Sequence, residues 1–551
     1  MKTIISKPFL VYGAVVLLLL GPLLLPGYIL TLDMVFTPQL PMPPEVTSSY
    51  LWHVLLHGLN MVLPADLIQK LMLLVILILT GLGAHRLAQQ WKLVDGPLLY
   101  TAGLLYMVNP FTYERFMSGQ YNVLFGYALL PWFAAAVVQL ASRPEGRMAA
   151  KLIGWALLIS VISIHSIVPA ALLALLIVGR QLVRMRARRQ SSIRLVQWCA
   201  VVVGLWLVSS AYWLVPLATG NNSQAELIGS FSQQDNQAFA TGGNGVAGQL
   251  ANVMRLQGFW PERYGMFVLP QDHLPLLIWA LLMATMVCLA GIGLVALWRQ
   301  GSRGLPIILA AIVAIGAMLG AGIGNSWWTQ LPLLAGYREP QKFVMLVALA
   351  YALLAPIGLA AVLRYADRRK QEVVSGALLP FGLALPFLIA LPYIWGGNGQ
   401  LQATDYPASW YTVNRNLVEA DVQGKTLSLP WHLYAHSNFA GRIIANPAPK
   451  FFDVPMVVSG DPELEGAAYN NPTVTSKQLD TAIKRAKNSG DSKDFTATLA
   501  KFGIQYVVLT KEADYQRYGF LDRQTGLERI ADYNEISLYR VRDYKPSVTA
   551  E

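Results

Sequence analysis

Charge is scarce in this chain: Asp, Glu, Lys and Arg make up 13% of its 551 residues, against about 25% in an ordinary soluble domain. Cysteine is scarcer still, with Cys199 and Cys288 alone in the whole sequence. Both fall inside long apolar runs, so neither a disulfide framework nor a Cys/His metal centre of CxxC type is on offer, and the cysteines do not fix the compartment. A P-loop, a dinucleotide-binding glycine turn and a strong internal repeat are missing as well.

What is abundant is apolar. The hydrophobic share is 54% and the mean hydropathy is +0.43, which together describe a polytopic membrane protein. The net charge of +11 does not point to nucleic acid, because the basic residues fall in short clusters between the apolar runs. The first run, from about Phe9 to Leu32, carries no charge between Lys7 and Asp33 and is long enough to cross a bilayer, which takes about 20 residues. It has no small-residue cleavage pattern, so it is expected to stay as a signal anchor.

Candidate spans lie at roughly 9–32, 67–88, 96–110, 122–141, 150–164, 166–183, 195–218, 273–297, 304–324, 343–364 and 374–396, about eleven crossings at the length a hydrocarbon core requires. With Lys2 and Lys7 inside, the clusters Arg86/Lys92, Arg143/Arg147/Lys151, Arg180 to Arg194, Arg299/Arg303 and Arg364 to Lys370 all fall on the inner side, as the positive-inside rule asks. The run RQLVRMRARRQSSIR reads as a topology signal, with an anionic-lipid or regulatory patch as its alternative. Segment 150–183, interrupted by ISIHSIVPA, is expected to form two half-depth helices meeting near His165.

The expected architecture is an all-α membrane domain over 1–396, with outer loops 33–66, 110–121, 219–272 and 325–342, followed by a soluble domain over 397–551 on the outer side. In the latter KTLSLPW, IQYVVLT and EISLYRV read as strands, and SKQLDTAIKRAKN and DFTATLAKFG as helices, giving an α/β or α+β domain. About 150 residues can bury a core of their own.

The chemistry is concentrated on the outer face. Asp33 stands at the mouth of the first span, in a loop that also holds Glu45, His53, His57 and Asp66. His53 and His57 are four apart on an amphipathic stretch expected to lie along the interface, but HVLLH lacks the glutamate of a zinc-binding HExxH, so two polar interface residues are the plainer reading. In the next outer turn Asn109, Tyr113, Glu114, Arg115, Gly119 and Gln120 crowd twelve positions, where polar side chains must pair internally, as Glu114 with Arg115, or line a wet cavity. His165 either bonds a backbone carbonyl or faces that cavity. In GYREPQKF, Arg338, Glu339 and Lys342 form a polar cluster at headgroup level, either an anchoring Arg–Glu pair or a phosphate site in which arginine offers a planar fork and lysine a point charge. The long Gly/Asn/Gln-rich loop 219–273 either covers the site or grips sugars through Trp260 and Tyr264.

Taken in order, LTLDMVFTP, NPFTYERFMSGQYNVLFGYALLPW, ISIHS and YREPQKF resemble the GT-C class of multi-spanning glycosyltransferases, in particular prokaryotic proteins akin to the AftD-type arabinofuranosyltransferases. The resemblance covers about residues 1–400. It implies a membrane-embedded transferase that moves a monosaccharide from a polyprenyl-phosphate donor to a glycan, glycolipid or glycoprotein acceptor outside the cytoplasm. It makes an acid of the first outer loop the base; Asp33 matches by position, although many relatives carry paired acids where this chain has Leu32-Asp33-Met34, and Glu45 and Asp66 are the other acids of the loop. Arg338, Lys342 and Arg115 are then the candidate cations for the donor phosphate, with Glu339, Tyr113, Glu114, Gln120, His165, His53, His57, Trp260 and Tyr264 around the substrate. No metal is expected to be required, although a few members of the class use a divalent cation. A lipid or solute transporter, and a non-catalytic glycan-binding scaffold, are the alternatives the sequence leaves open.

Overall fold

A computed structural model of the protein describes residues 2–542 and 544, apart from 187–188, 222, 230–232, 302, 332–333, 464–473 and 490–492. Arg188 of the basic run and parts of the loops at 219–273 and 325–342 therefore lie outside the described residues.

Among the described residues eight helices are long and apolar enough to cross a membrane: Lys7–Leu24, Ala65–Gln90, Tyr121–Ser142, Ile164–Met185, Gln190–Thr219, Leu276–Arg299, Pro340–Arg368 and Glu372–Ile389. The expected count of about eleven is not confirmed by these eight, and three of the expected spans are shorter helices. The run expected to cross at 96–110 is a ten-residue helix, Leu98–Met107, about 15 Å long at 1.5 Å per residue. It stops because Pro110 disfavours helical geometry at Asn109. Asn109 is extended, accepts from the Thr112 amide to start the next helix, Pro110–Met117, and donates from Nδ2 to the Leu105 and Tyr106 carbonyls that end the previous one.

Gly146–Ile162 and Gly304–Gly320 are 17-residue helices. The hairpin near His165 is also not a pair of half-depth helices. A 3-10 turn, Ile164–Ser166, runs straight into Ile167–Met185, and together they form a 22-residue span. The turn packs against Gly126, where an added Cβ would come within 2.0 Å of Ser166 Oγ.

At the centre stands the helix Val344–Arg368, buried at every position from Val344 to Ala360. A helix apolar on all sides is one that other helices surround. Its tightest neighbour is Leu276–Arg299, and the crossing is made by two glycines: a Cβ on Gly293 would lie 2.1 Å from the Leu354 carbonyl oxygen, and one on Gly358 would lie 1.9 Å from that of Leu289. Close backbone approach of this kind is what small residues give helices in lipid, where burial itself supplies little drive.

The C-terminal region carries a five-stranded sheet in the order Met456–Val457, Lys425–Leu429, Ile504–Thr510, Ile536–Val541, Leu527–Asp532. The first three strands are parallel and the rest antiparallel. The three expected strands and two expected helices are all present, the helices as Val474–Ser489 and Lys493–Lys501. Val507 and Leu509 point to one face, where Leu479, Ile483 and Ala486 of the helix cover them. Tyr506 and Val508 point to the other and join the main core.

That main core does not stop at residue 396. Tyr406, Trp410, Ile444 and Phe451 pack into the same cluster as Ile29, Leu30 and Phe36. The backbone ties the two parts as well: Tyr28–Ile29 pairs antiparallel with Ala403–Thr404, and Leu32 bridges to Ile444 of the hairpin formed by Tyr434–Ser437 and Arg442–Ala445.

Candidate active site

Asp33 sits on a tight turn held from two directions. The Met34 amide donates to the Thr31 carbonyl at 2.7 Å and the Asp33 amide to that of Ser118 at 3.2 Å, while Leu32 exchanges bonds with Ile443 and Ala445 of the C-terminal hairpin. Leu32 has φ +31°, a strained value for a branched side chain. Gly119, at φ +68°, lies directly beneath: a Cβ there would fall 2.4 Å from the Met34 nitrogen and 2.5 Å from the Thr31 oxygen. The turn is therefore set by chain crossings and not by its own residues.

The Asp33 carboxylate is reachable by solvent yet densely surrounded by protein, as a group on the floor of a depression is. Oδ1 accepts from the Tyr434 hydroxyl at 2.6 Å and Oδ2 from Gln120 Nε2 at 3.3 Å. Burial pushes its pKa up and Glu339 adds to that, while the two hydrogen bonds and Lys342 oppose it; the balance lies above the ordinary carboxylate value. Lys450 is a further charge within Asp33's field, with Nζ 3.4 Å from the Val35 carbonyl.

Gln120 links Asp33 to the cations. Its Oε1 accepts from Arg115 Nη1 at 2.6 Å, Arg115 Nη1 lies 3.5 Å from Glu339 Oε2, and Lys342 Nζ lies 3.4 Å from the same oxygen. The expected Glu114–Arg115 pair does not form, and Glu339 binds Arg115 and Lys342 in place of the adjacent Arg338. Burial would raise the Glu339 carboxyl, but Lys342, Arg115, Arg338 and His165 outweigh it and hold the pKa at about 2. Arg115 and Lys342 are buried at 1% and 4% exposure; Arg338 is half-buried, its guanidinium 4.1 Å from the centre of the Phe239 ring.

The loop over 219–273 covers this cluster. It is not structureless, carrying the helix Gly245–Met254 and the 3-10 turn Trp260–Tyr264. Phe259 lies flat on Arg115, 3.6 Å from the guanidinium carbon to the ring centre. Glu262 Oε1 fixes that ring by accepting from the Gly258 and Phe259 amides, both at 2.6 Å. Glu114 faces Glu262, and burial together with this second carboxylate drives the Glu114 pKa well up.

The other expected residues divide. Trp260 packs edge-on against Phe239 and Phe259 and supports the loop, and Tyr264 packs on Trp260 and is exposed. His165 is half-buried, edge-on to Tyr337 and within the field of the Glu339 cluster. The Tyr113 hydroxyl is spent on the Val268 carbonyl and accepts from Gln400. His53 and His57 each bond a backbone carbonyl, those of Ser49 and Leu40. Asp66 takes Lys70 at 3.1 Å as a helix pair. Among the described residues no group of three or more His, Cys, Asp or Glu is placed to hold a metal ion.

Beside the His165 turn a groove of about 390 Å³ opens between the helices Tyr121–Ser142, Gly146–Ile162, Ile167–Met185 and Arg189–Thr219. Its lining is apolar, from Ile159 and Ile167 next to that turn to Val178 and Cys199 at depth.

A family model described as a 6-pyruvoyl-tetrahydropterin synthase related domain, membrane protein, matches residues 51–236, less than half of the chain. No curated protein matches the sequence. Among solved structures, the arabinofuranosyltransferase AftD from Mycobacteria superposes with a TM-score of 0.60 at 16% identity, over 97% of this chain and 40% of AftD. The oligosaccharyltransferase of Archaeoglobus fulgidus, in complex with Zn and sulfate, gives a TM-score of 0.44 at 10% identity, over 92% of this chain and 68% of that one. The fold is thus shared with AftD, in keeping with the GT-C resemblance in the sequence, and this chain spans 40% of AftD's length.

Proposed function

We propose that the protein is a GT-C-type membrane glycosyltransferase that transfers a monosaccharide from a polyprenyl-phosphate donor to a glycan, glycolipid or glycoprotein acceptor, with Asp33 as general base. The observation that carries this reading is the unbroken chain from Asp33 through Gln120 to Arg115, Glu339 and Lys342. It joins the Asp33 carboxylate and a cation cluster in one network, as a base beside a leaving phosphate requires.

In the transfer step Asp33 takes the proton of an acceptor hydroxyl as that oxygen bonds to the anomeric carbon. The bond from that carbon to the donor phosphate oxygen breaks on the opposite face, and the lipid phosphate leaves with the electron pair. One displacement inverts the anomeric centre. A carboxylate with a raised pKa is the better base at neutral pH, and oxocarbenium character at the sugar keeps the demand on it modest. Negative charge grows on the leaving phosphate, so cations fixed in advance stabilise the transition state.

Burial supports different tasks for the cations. On this reading the half-buried Arg338 is the cation that meets the phosphate, while the buried Arg115, under Phe259, and Lys342 supply potential and hold the cluster rigid. The apolar groove that begins beside His165 suits an isoprenoid chain whose phosphate ends at these charges, and on this reading the Asp33 face is extracytoplasmic and the N-terminus cytoplasmic.

The test is transfer of labelled sugar from a panel of polyprenyl-phosphate monosaccharides by the purified full-length protein in lipid nanodiscs, with lipid translocation followed in parallel liposomes. Transfer from at least one donor supports the reading. Translocation of lipid with no transfer from any donor contradicts it.

A further inference from the structure

A second cleft, of about 330 Å³, lies at the opposite end of the bundle from Asp33. The last turns of Ala65–Gln90, Tyr121–Ser142 and Ile167–Met185 meet the first turn of Gly304–Gly320 there. Ile177, Leu305 and Ile308 form apolar walls, Trp91 stands beside them, and Arg180 and Arg184 bring the charge.

Three positive features converge. Arg180 and Arg184 are one helical turn apart, a spacing at which like charges oppose each other. The Arg180 guanidinium lies against Gly304, where an added Cβ would sit 2.4 Å from its Nε. Gly304 is the first residue of a 17-residue helix, so this cation rests on the positive end of a helix dipole. Among the described residues Arg180 Nε is also buried without a hydrogen-bond partner. Among the described residues no acidic side chain lines the cleft. Like charges one turn apart at the positive end of a helix favour an anion beside them.

We propose that this cleft binds the phosphate headgroup of an anionic membrane lipid. Arg180 offers its planar fork to the phosphate oxygens, Arg184 adds charge, and the opening amides of the Gly304 helix complete the cradle. The apolar walls receive the upper part of an acyl chain, and an aromatic such as Trp91 belongs at headgroup depth. The basic ends of the surrounding helices place the cleft in the leaflet where anionic lipids are held by such pockets. This site does not depend on the sugar-transfer reading and survives its failure.

The test uses the full-length protein in detergent, titrated separately with phosphatidylglycerol, phosphatidylcholine and inorganic phosphate, and read by native mass spectrometry and by thermal unfolding. Wild type retains phosphatidylglycerol in preference to phosphatidylcholine. Arg180→Gln weakens that binding about tenfold and leaves phosphatidylcholine uptake unchanged. Gly304→Ala, which keeps both arginines but intrudes on the seat of Arg180, weakens it in the same sense and covers the case in which Arg180→Gln fails to fold. Equal retention of the two lipids, or full phosphatidylglycerol binding by both variants, overturns the proposal. Protection by inorganic phosphate equal to that by phosphatidylglycerol overturns the lipid and leaves a free-phosphate site.

Discussion

Tyr434 and Asp33 stand 401 residues apart in the chain and share a 2.6 Å hydrogen bond, tyrosine donating. The bond joins the first loop after the N-terminal helix to a hairpin of the C-terminal region. That region is therefore part of the candidate site and not an appendage beside it. Because the hydroxyl bonds the ionised carboxylate, it holds down a pKa that burial pushes up.

Tyr434→Phe removes this restraint and lets the Asp33 pKa rise further. The acid limb of kcat/KM for sugar transfer is expected to move to higher pH by about one unit, since a hydrogen bond to a charged group contributes about 1.5–3 kcal/mol and one pKa unit is about 1.4 kcal/mol. A pH–rate profile of the variant beside wild type checks this. An unmoved limb with a uniformly lower rate would assign Tyr434 a packing role only.

Stability should respond to acid through Glu339. Its folded pKa of about 2 lies below the ordinary 4.5, so its contribution is fully present above the unfolded value and is lost as pH falls from about 4.5 towards 2. Glu339→Gln leaves Arg115 and Lys342 buried without their common counter-charge, and breaking a buried pair in this way costs about 3–5 kcal/mol. Thermal unfolding at pH 7 should show a large drop for the variant, and the gap to wild type should narrow in acid.

Gly119→Ala tests the turn that presents Asp33. The new Cβ meets backbone atoms of Met34 and Thr31 that have no room to yield, at a φ of +68°. Strain of about 1–3 kcal/mol and a displaced carboxylate should lower kcat more than they raise KM. Steady-state kinetics on folded, equally expressed protein would show it.

Phe259→Ala uncovers Arg115. The flat stack at 3.6 Å contributes about 0.5–2 kcal/mol as a cation–π contact, and its loss admits water to the Arg115–Glu339 pair. Proteolysis within 219–273 should quicken, while Phe259→Tyr keeps the ring and should behave as wild type.

The parts of this fold legible in the sequence are those with a local signal. Uninterrupted apolar runs gave the long helices, and the short strand-like runs KTLSLPW, IQYVVLT and EISLYRV gave the strands at 425–429, 504–510 and 536–541. At Asn109-Pro110 that signal missed a boundary: the apolar run reads as one segment, but the proline and a capping asparagine end the helix at ten residues and start another.

The candidate site was legible as residue types and not as partners. Asp33, Arg115, Arg338, Glu339 and Lys342 are polar residues in costly places, which marks them in any membrane sequence. Which of them pair is decided by helix packing, so Glu339 with Arg115, 224 residues away, could not be read in advance. Tyr434, Lys450 and Phe259 gave no signal, since a tyrosine in a short strand, an exposed lysine and a loop phenylalanine are ordinary until the hairpin and the loop close on the membrane helices.

The most direct measurement is sugar transfer by Asp33→Asn against wild type, in nanodiscs at equal folded protein, from whichever polyprenyl-phosphate donor wild type accepts. The amide keeps the size and the bond from Tyr434 but cannot take a proton, so transfer should fall by about 10²–10⁴ with donor binding retained. Transfer at the wild-type rate would contradict the account, because the proton acceptor would then lie elsewhere.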